Sequence, residues 1–321
     1  MLKIGNVAIE QTAALAPMAS VADRAYRSMC KDYGACYLVS EMVSAKGICF
    51  AEDKAANLLE IKQSEHPMAM QLFGSEPEYF VKSLPIILKY KPDIIYINMG
   101  CPVPKVTSNG GGCSLMKNPE LAAEIVTATV KNSSVPVTVK IRKGWDDNSI
   151  NAVEFSKKMQ DCGASAITIH GRTKTQMYSG CADWDIVAKV KKALDIPVIA
   201  SGDVTSPETA KALYQKTDAD LIMVGRGSYG RPWLFQQISD YLKTGKYSPD
   251  PDIEQRMNIM LKHIRRICED KGEYIGMKEA RSQAMRYLYG ICGAAGYRSK
   301  CSKFEKYSDA EKLVNEILDN F

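Results

Sequence analysis

Short runs of β-branched and apolar residues alternate with longer amphipathic stretches from the start of the chain to about residue 240. The runs predict buried strands at 13–16, 37–40, 68–72, 94–98, 137–141, 166–170, 198–201 and 221–225. Between most of them the apolar residues recur at helical spacing, as do Leu121, Ile125 and Ala128, or Val187, Val190 and Leu194, or Ala210 and Leu213. Pro119, Pro207 and Pro232 each stand near a predicted helix start, where a missing N–H costs nothing; Asn118 and Ser206 precede two of them as caps. Eight strand–helix alternations over this length predict an α/β fold, a (β/α)8 TIM barrel, rather than an open doubly wound sheet. After Tyr241 the pattern changes. Gly245, Pro249 and Pro251 mark a linker, and beyond it only helices are predicted, at 253–271, 278–289 and 309–320. The expected organisation is a catalytic barrel over residues 1–243 followed by a small all-α C-terminal domain over 244–321.

Charge separates the two parts. The net formal charge is +5, yet residues 256–306 alone carry 12 Lys/Arg against 5 Asp/Glu. A basic helical tail on a slightly acidic barrel points to a polyanionic partner, the plainer alternative being a solvated helical surface. The hydrophobic content of 45% is that of a globular chain, and no apolar run approaches the length that spans a bilayer. The first residues lack a basic region followed by an apolar core, so no signal peptide, no membrane and a cytoplasmic location are expected. Ten cysteines without a CxxC pair and three dispersed histidines give no expected metal site, and most of the thiols are read as reduced and buried. No obligate protein partner is evident.

In parallel barrels the chemistry sits where the strands end, and the unusual residues collect there. Pro17, Met18 and Ala19 follow the first predicted strand, Gln71 ends the third, and Asn98 to Pro102 end the fourth. Lys140 and Arg142 close the fifth, His170 and Arg172 the sixth, Ser201, Gly202 and Asp203 the seventh, and Gly225, Arg226 and Gly227 the eighth. Glycines in the last two loops let backbone N–H groups approach a phosphate closely, and Arg226 adds charge. A buried lysine needs a negative partner, so Lys140 faces either an electron-rich cofactor edge or a carboxylate inside the barrel. Cys101, between Gly100 and Pro102 and ahead of the run Asn109-Gly110-Gly111-Gly112, is expected to be solvent-accessible and mobile. Such a thiol can deliver a proton to a carbon or act as a nucleophile, unless it is merely structural.

These segments together resemble the tRNA-dihydrouridine synthase family, and its bacterial branch in particular. The resemblance rests on LAPMAS at 15–20, DRAYR at 23–27, SEM at 40–42, INMGCPVPKV at 97–106, VKIRKGW at 139–145, TIHGRT at 168–173, YSGCADW at 178–184, PVIASGDV at 197–204 and GRGSYGRPWLF at 225–235. It implies FMN-dependent reduction of a D-loop uridine in tRNA to 5,6-dihydrouridine, with NADPH or NADH as transient reductant. Hydride would pass from reduced FMN to C6 of the base and a proton from Cys101 to C5. By the same resemblance Pro17, Met18, Ala19 and Gln71 hold the flavin rings. Lys140 and His170 contact the flavin or its ribityl chain; Ser201, Gly202, Asp203, Gly225 and Arg226 lie on its phosphate side; Asn98 and Arg172 approach the uracil. Two departures stand out: Ser201 replaces the family's usual Asn, and Ser282-Gln283 with Arg286 replace a Lys-His pair and an aromatic in the tail. The competing readings are a flavin enzyme acting on a free pyrimidine, like dihydroorotate dehydrogenase, and a non-catalytic RNA-binding paralogue.

Overall fold

A computed structural model describes residues 1–320, without the side chain of Lys54. Ten strands form two sheets: a hairpin of β1 (Leu2–Ile4) and β2 (Val7–Ile9), and an eight-stranded parallel sheet of β3 (Ala13–Leu15), β4 (Leu38–Ser44), β5 (Met68–Phe73), β6 (Ile94–Met99), β7 (Val137–Gly144), β8 (Ala166–Thr173), β9 (Val198–Ser201) and β10 (Leu221–Val224). All eight predicted strands are present. The sheet runs in sequence order from β4 to β10, and β10 then pairs with β3. Two backbone bonds, Leu15 N–H to the Tyr37 carbonyl at 2.9 Å and Cys36 N–H to the Ala13 carbonyl at 3.0 Å, join β3 to the start of β4 and close the barrel.

Alternation along the strands decides what lies inside. One set of alternate positions, including Ala14, Tyr37, Val39, Ala69, Ile94, Tyr96, Ala166, Ile199, Leu221 and Met223, makes an interior cluster, to which the hairpin adds Leu2, Ile4 and Ile9. The hairpin lies at the N-terminal end of the strands: a Cβ on Gly5 would stand 2.5 Å from Pro136, the residue before β7. It therefore stops the barrel floor. It was not predicted, because two three-residue strands joined by a tight turn carry too few alternations to read. The other strand face packs against the surrounding helices in the larger core. Asn118 and Ser206 cap the Pro119–Asn132 and Pro207–Thr217 helices as expected, accepting from Leu121 N–H and Thr209 N–H.

Beyond the Leu234–Thr244 helix, which ends on Gly245 in the left-handed region, the chain is helical: Ile253–Lys271, Glu273–Tyr287, Ala294–Cys301 and Tyr307–Leu318. These helices bury an apolar cluster of their own, which takes in Ala25 and Trp233 from the barrel side. The tail is fixed by charge as well. Arg24 binds Asp270, Lys271 meets Asp23 at 2.9 Å, and Asp32 accepts from Lys262 at 2.9 Å and Arg266 at 2.7 Å. No helix of the described residues is long and apolar enough to cross a membrane.

Candidate active site at the barrel mouth

The inward alternation that places Ala69, Tyr96, Thr138, Thr168 and Ile199 inside the barrel brings Gln71, Asn98, Lys140, His170 and Ser201 inside as well, two residues further along each strand. The register sets Asn98 beside Lys140 and His170 beside Ser201, while Gln71 lies beside Tyr96 and Lys140 beside Thr168, so these inward residues climb around the barrel in steps. The interior thus changes from apolar to polar at the last turn of the barrel. Above these residues opens a cavity of about 610 Å³, lined by Pro17, Met18, Ala19, Gln71, Asn98, Cys101, Lys140, His170, Ser201, Gly202, Asp203, Gly225 and Arg226. That volume suits a cofactor or a nucleotide base with its sugar.

Arg172 alone among the expected site residues does not line this cavity. Its buried guanidinium is used elsewhere: it donates to the Ser179 carbonyl at 3.0 Å and the Gly180 carbonyl at 2.6 Å, and pairs with Asp203 at 2.8 Å. Asp203 also accepts from Ala182 N–H at 2.7 Å. Burial pushes the Asp203 carboxyl up, but Arg172, the Ala182 N–H and Arg226 more than reverse this and hold it below the usual carboxylate range. Arg172 and Asp203 therefore tie the loop after β8 to the loop after β9.

Asn98 has both ends of its amide engaged. It donates to Gln71 Oε1 at 2.9 Å, and its Oδ1 accepts from Gly100 N–H at 3.1 Å and Cys101 N–H at 2.8 Å. The Cys101 carbonyl accepts from Cys113 N–H at 3.0 Å, and a Cβ on Gly112 would lie 2.8 Å from that carbonyl oxygen. Contrary to the expectation of an exposed, mobile thiol, Cys101 is buried at 9% exposure and held on both sides of its backbone. The glycine run at 110–112 is what lets the chain fold back so closely on it. Burial raises the thiol above its ordinary pKa, opposed in part by the Val103 backbone and by Arg142 and Lys140. The group is a protonated thiol at neutral pH.

Gln71 leaves its Nε2 buried and without a partner while its Oε1 is satisfied. Lys140 has no carboxylate within ion-pair distance among the described residues, which removes the internal salt bridge as its explanation. Burial, with Arg142 adding, lowers its ammonium to about 8. Burial and then the charges of Lys140, Arg142, Arg172 and Arg226 push His170 well below its ordinary value, so the imidazole is neutral. The cavity thus strands one amide donor and sets three cations, Lys140, Arg142 and Arg226, against one acid, Asp203, a lining that suits an electron-rich occupant.

The loops after β9 and β10 pack closely at their glycines. Gly202 has φ of +129°, and a Cβ there would meet Ala182 Cβ at 2.7 Å and His170 at 3.0 Å. A Cβ on Gly227 would stand 2.0 Å from the Val204 carbonyl oxygen. Gly202 thus lets the β9 loop lie against β8 and its loop, and Gly227 lets the β10 loop lie against the β9 loop.

The deciding observation is then a comparison of the whole chain with known proteins. The family model described as dihydrouridine synthase matches residues 14–321. The chain belongs to the dihydrouridine synthase family. It is 41% identical over 299 residues to the probable tRNA-dihydrouridine synthase of Rickettsia prowazekii, covering 93% of this chain and 91% of that protein. It is 40% identical over 320 residues to tRNA-dihydrouridine synthase B of Vibrio vulnificus, covering 100% and 98%. Among solved structures, the 6-hydroxypseudooxynicotine amine oxidase of Pseudomonas geniculata N1 matches with a TM-score of 0.59 at 13% identity, over 83% of this chain and 52% of that one. This chain spans about half the length of that structure, and the likeness is one of fold alone. The resemblance read from the motifs and the TIM-barrel expectation both hold.

Several residues of this dihydrouridine synthase's mouth were not singled out from the sequence as site residues. Arg142 donates to the Gly100 carbonyl at 3.0 Å, the Thr173 carbonyl at 2.7 Å and the Met177 carbonyl at 2.8 Å, joining the loops after β6 and β8. Its signal was legible: a second charged residue two places after Lys140 on an apolar strand. Met42, Tyr178 and Tyr229 also line the cavity, but tyrosines in loops have no pattern that announces such a role. Among the described residues no three His, Cys, Asp or Glu side chains gather in a way that could hold a metal ion.

Proposed function

We propose that this enzyme reduces a uridine in the D-loop of tRNA to 5,6-dihydrouridine with FMN as its bound cofactor. Residues 1–243 act as the catalytic, FMN-binding barrel and 244–321 as the helical tRNA-binding domain, Phe321 lying outside the described residues. The observation that carries the reading is the Cys101 thiol lining the same cavity as the Gly202, Gly225 and Gly227 cradle. The residues present fit FMN. The stranded Gln71 Nε2 awaits a ring acceptor, and Lys140 supplies the positive charge that an anionic ring edge requires. Backbone N–H groups of the β9 and β10 loops, with Arg226, would take the phosphate, and Pro17, Met18 and Ala19 the flank of the rings. Bound there, FMN would supply hydride chemistry for C6 of the uracil, with NADPH or NADH as the source of reducing equivalents.

The chain's own chemistry is the other half of the addition. The C5–C6 double bond of uracil gains a hydride at one carbon and a proton at the other. Cys101, kept protonated by burial, gives the proton to C5 and is left as a thiolate that Arg142 and Lys140 stabilise. Asn98 acts on this step by fixing the Cys101 N–H and hence the loop that carries the sulfur. Arg172 acts by holding Asp203 and the loops around the cofactor. Neutral His170 contributes a hydrogen-bonding ring without adding to the positive charge. The target base must leave its stack to reach a cavity set inside the barrel, and the basic tail holds the RNA through its phosphates. The names of the relatives favour tRNA over a free pyrimidine as the substrate.

Purified protein reconstituted with FMN and given NADPH tests the reading with unmodified tRNA and with free uracil. Dihydrouridine is expected in the tRNA alone. Cys101→Ala should still bind FMN and consume NADPH in the presence of an artificial electron acceptor, while dihydrouridine formation falls by roughly 10²- to 10⁴-fold. Full product formation by that variant removes Cys101 from the chemistry.

A further inference from the structure

At the rim of the cavity, aromatic rings and guanidinium groups alternate. Tyr178, in the loop after β8, carries Arg226 over its ring at 4.5 Å and Arg142 at 5.7 Å. Tyr229, in the loop after β10, carries Arg286 over its ring at 3.9 Å. Arg286 belongs to the Glu273–Tyr287 helix of the tail, so this ladder crosses from the barrel into the helical region. The crossing is close. A Cβ on Gly230, at φ +64°, would stand 2.5 Å from the Arg286 carbonyl carbon, and Gln283 from the same helix donates to the Ser20 carbonyl at 2.9 Å. The phenol of Tyr229 feels Arg286, Tyr178 and Arg226 together, with burial the largest influence on it.

Arg286, unlike Lys262, Arg266 and Lys271 at the same interface, has no carboxylate to neutralise it. Arg266 and Lys262 share Asp32, and Lys271 is bound by Asp23 and Glu279. For Arg286 no carboxylate lies within ion-pair distance among the described residues, and its Nε is buried without a hydrogen-bond partner. A guanidinium stacked flat on a ring keeps its N–H edge free for a planar or tetrahedral anion. The stack holds the fork in advance at the edge of the active cavity, which Tyr229 lines.

We infer that Arg286, stacked on Tyr229, holds a backbone phosphate of the RNA strand beside the nucleotide that enters the cavity, and so positions the target base from the tail. The inference rests on the proposed reading of the chain as a tRNA reductase. A phosphate group is the shared chemistry of two sources, the RNA backbone and the nicotinamide dinucleotide. The RNA is favoured because Arg286 stands in the basic tail and outside the glycine cradle. Arg286 is a positioning residue. It holds the strand and does not take part in the transfer of hydrogen.

The test uses the full-length holoenzyme and compares wild type with Arg286→Gln and Arg286→Lys. Three quantities are read: tRNA affinity as a function of salt, KM and kcat for tRNA, and KM for NADPH. Arg286→Gln should raise KM for tRNA roughly tenfold with a much smaller change in kcat, and should lower the slope of log affinity against log salt by about 0.7 to 0.9. Arg286→Lys, which keeps the charge, should retain the slope. If Arg286 only fastens the tail to the barrel, Arg286→Gln lowers the melting temperature and leaves the salt slope as in wild type, and the inference is overturned. A rise confined to KM for NADPH overturns it as well, in favour of the dinucleotide. Wild-type protein that binds tRNA but forms no dihydrouridine overturns the proposed function together with the positioning role; active wild type with an unaltered slope in the variant overturns the positioning role alone.

Discussion

At the scale of single residues, the cavity is defined by groups whose local chemistry is unbalanced. Lys140 is the clearest of them, an ammonium lowered to about 8 by burial and by Arg142. An electron-rich partner favours the charged form and raises that pKa on binding. Cofactor affinity is therefore greatest where Lys140 is already protonated, below about 8, and falls as pH rises through that value toward the higher pKa of the complex. Titrating the apoprotein with FMN by fluorescence should show weakening between about pH 7 and about pH 9, approaching tenfold per pH unit at its steepest, and Lys140→Gln should flatten the curve. A wild-type affinity indifferent to pH over that interval sinks the pairing of Lys140 with the cofactor. Lys140, Gln71 and Cys101 were legible in the sequence because a polar residue at the end of an apolar strand has few reasons to be there. Their immediate surroundings were not. Whether Cys101 is free or clamped depends on Asn98 Oδ1 and on Gly112 eleven residues later, and whether Arg172 faces the base or Asp203 depends on a loop from another strand.

At the scale of elements, the strands were legible because each is a buried apolar run bounded by breakers, and the parity within each run fixes which side chains reach the cavity. What the sequence hid follows from the same physics. The Glu273–Tyr287 helix begins five residues before the expected start at 278 and takes in Gly276; a Cβ there would press 2.8 Å from Cys268 Cα, so the glycine serves close packing against the preceding helix and does not break the element. The Ala294–Cys301 helix was missed because it buries only Cys301 and shows no apolar stripe. The β9 loop offers a test at this scale. Gly202→Ala adds a methyl group that clashes with Ala182 and His170 in a backbone conformation that side chains resist, costing about 1–3 kcal/mol locally. The expected result is a folded protein purified with much less FMN, seen as a lower ratio of flavin absorbance to protein absorbance. Full flavin occupancy in that variant would show that the cradle is not set by this glycine.

At the scale of the whole molecule, barrel and tail meet through paired charges, a shared apolar cluster and the stacked Arg286, so the helical region is seated on the barrel at one flank of its mouth. The opposite end is stopped by the N-terminal hairpin, whose Leu2, Ile4 and Ile9 join the interior cluster. A vessel corked at its base can be filled and emptied only from the top. On the proposed reading, the dinucleotide and the RNA base would use that doorway in turn, one departing before the other arrives. Initial rates measured against one substrate at several fixed levels of the other should then give parallel double-reciprocal lines. Intersecting lines would mean that both reactants are held at once, and that the corked barrel has a second way in.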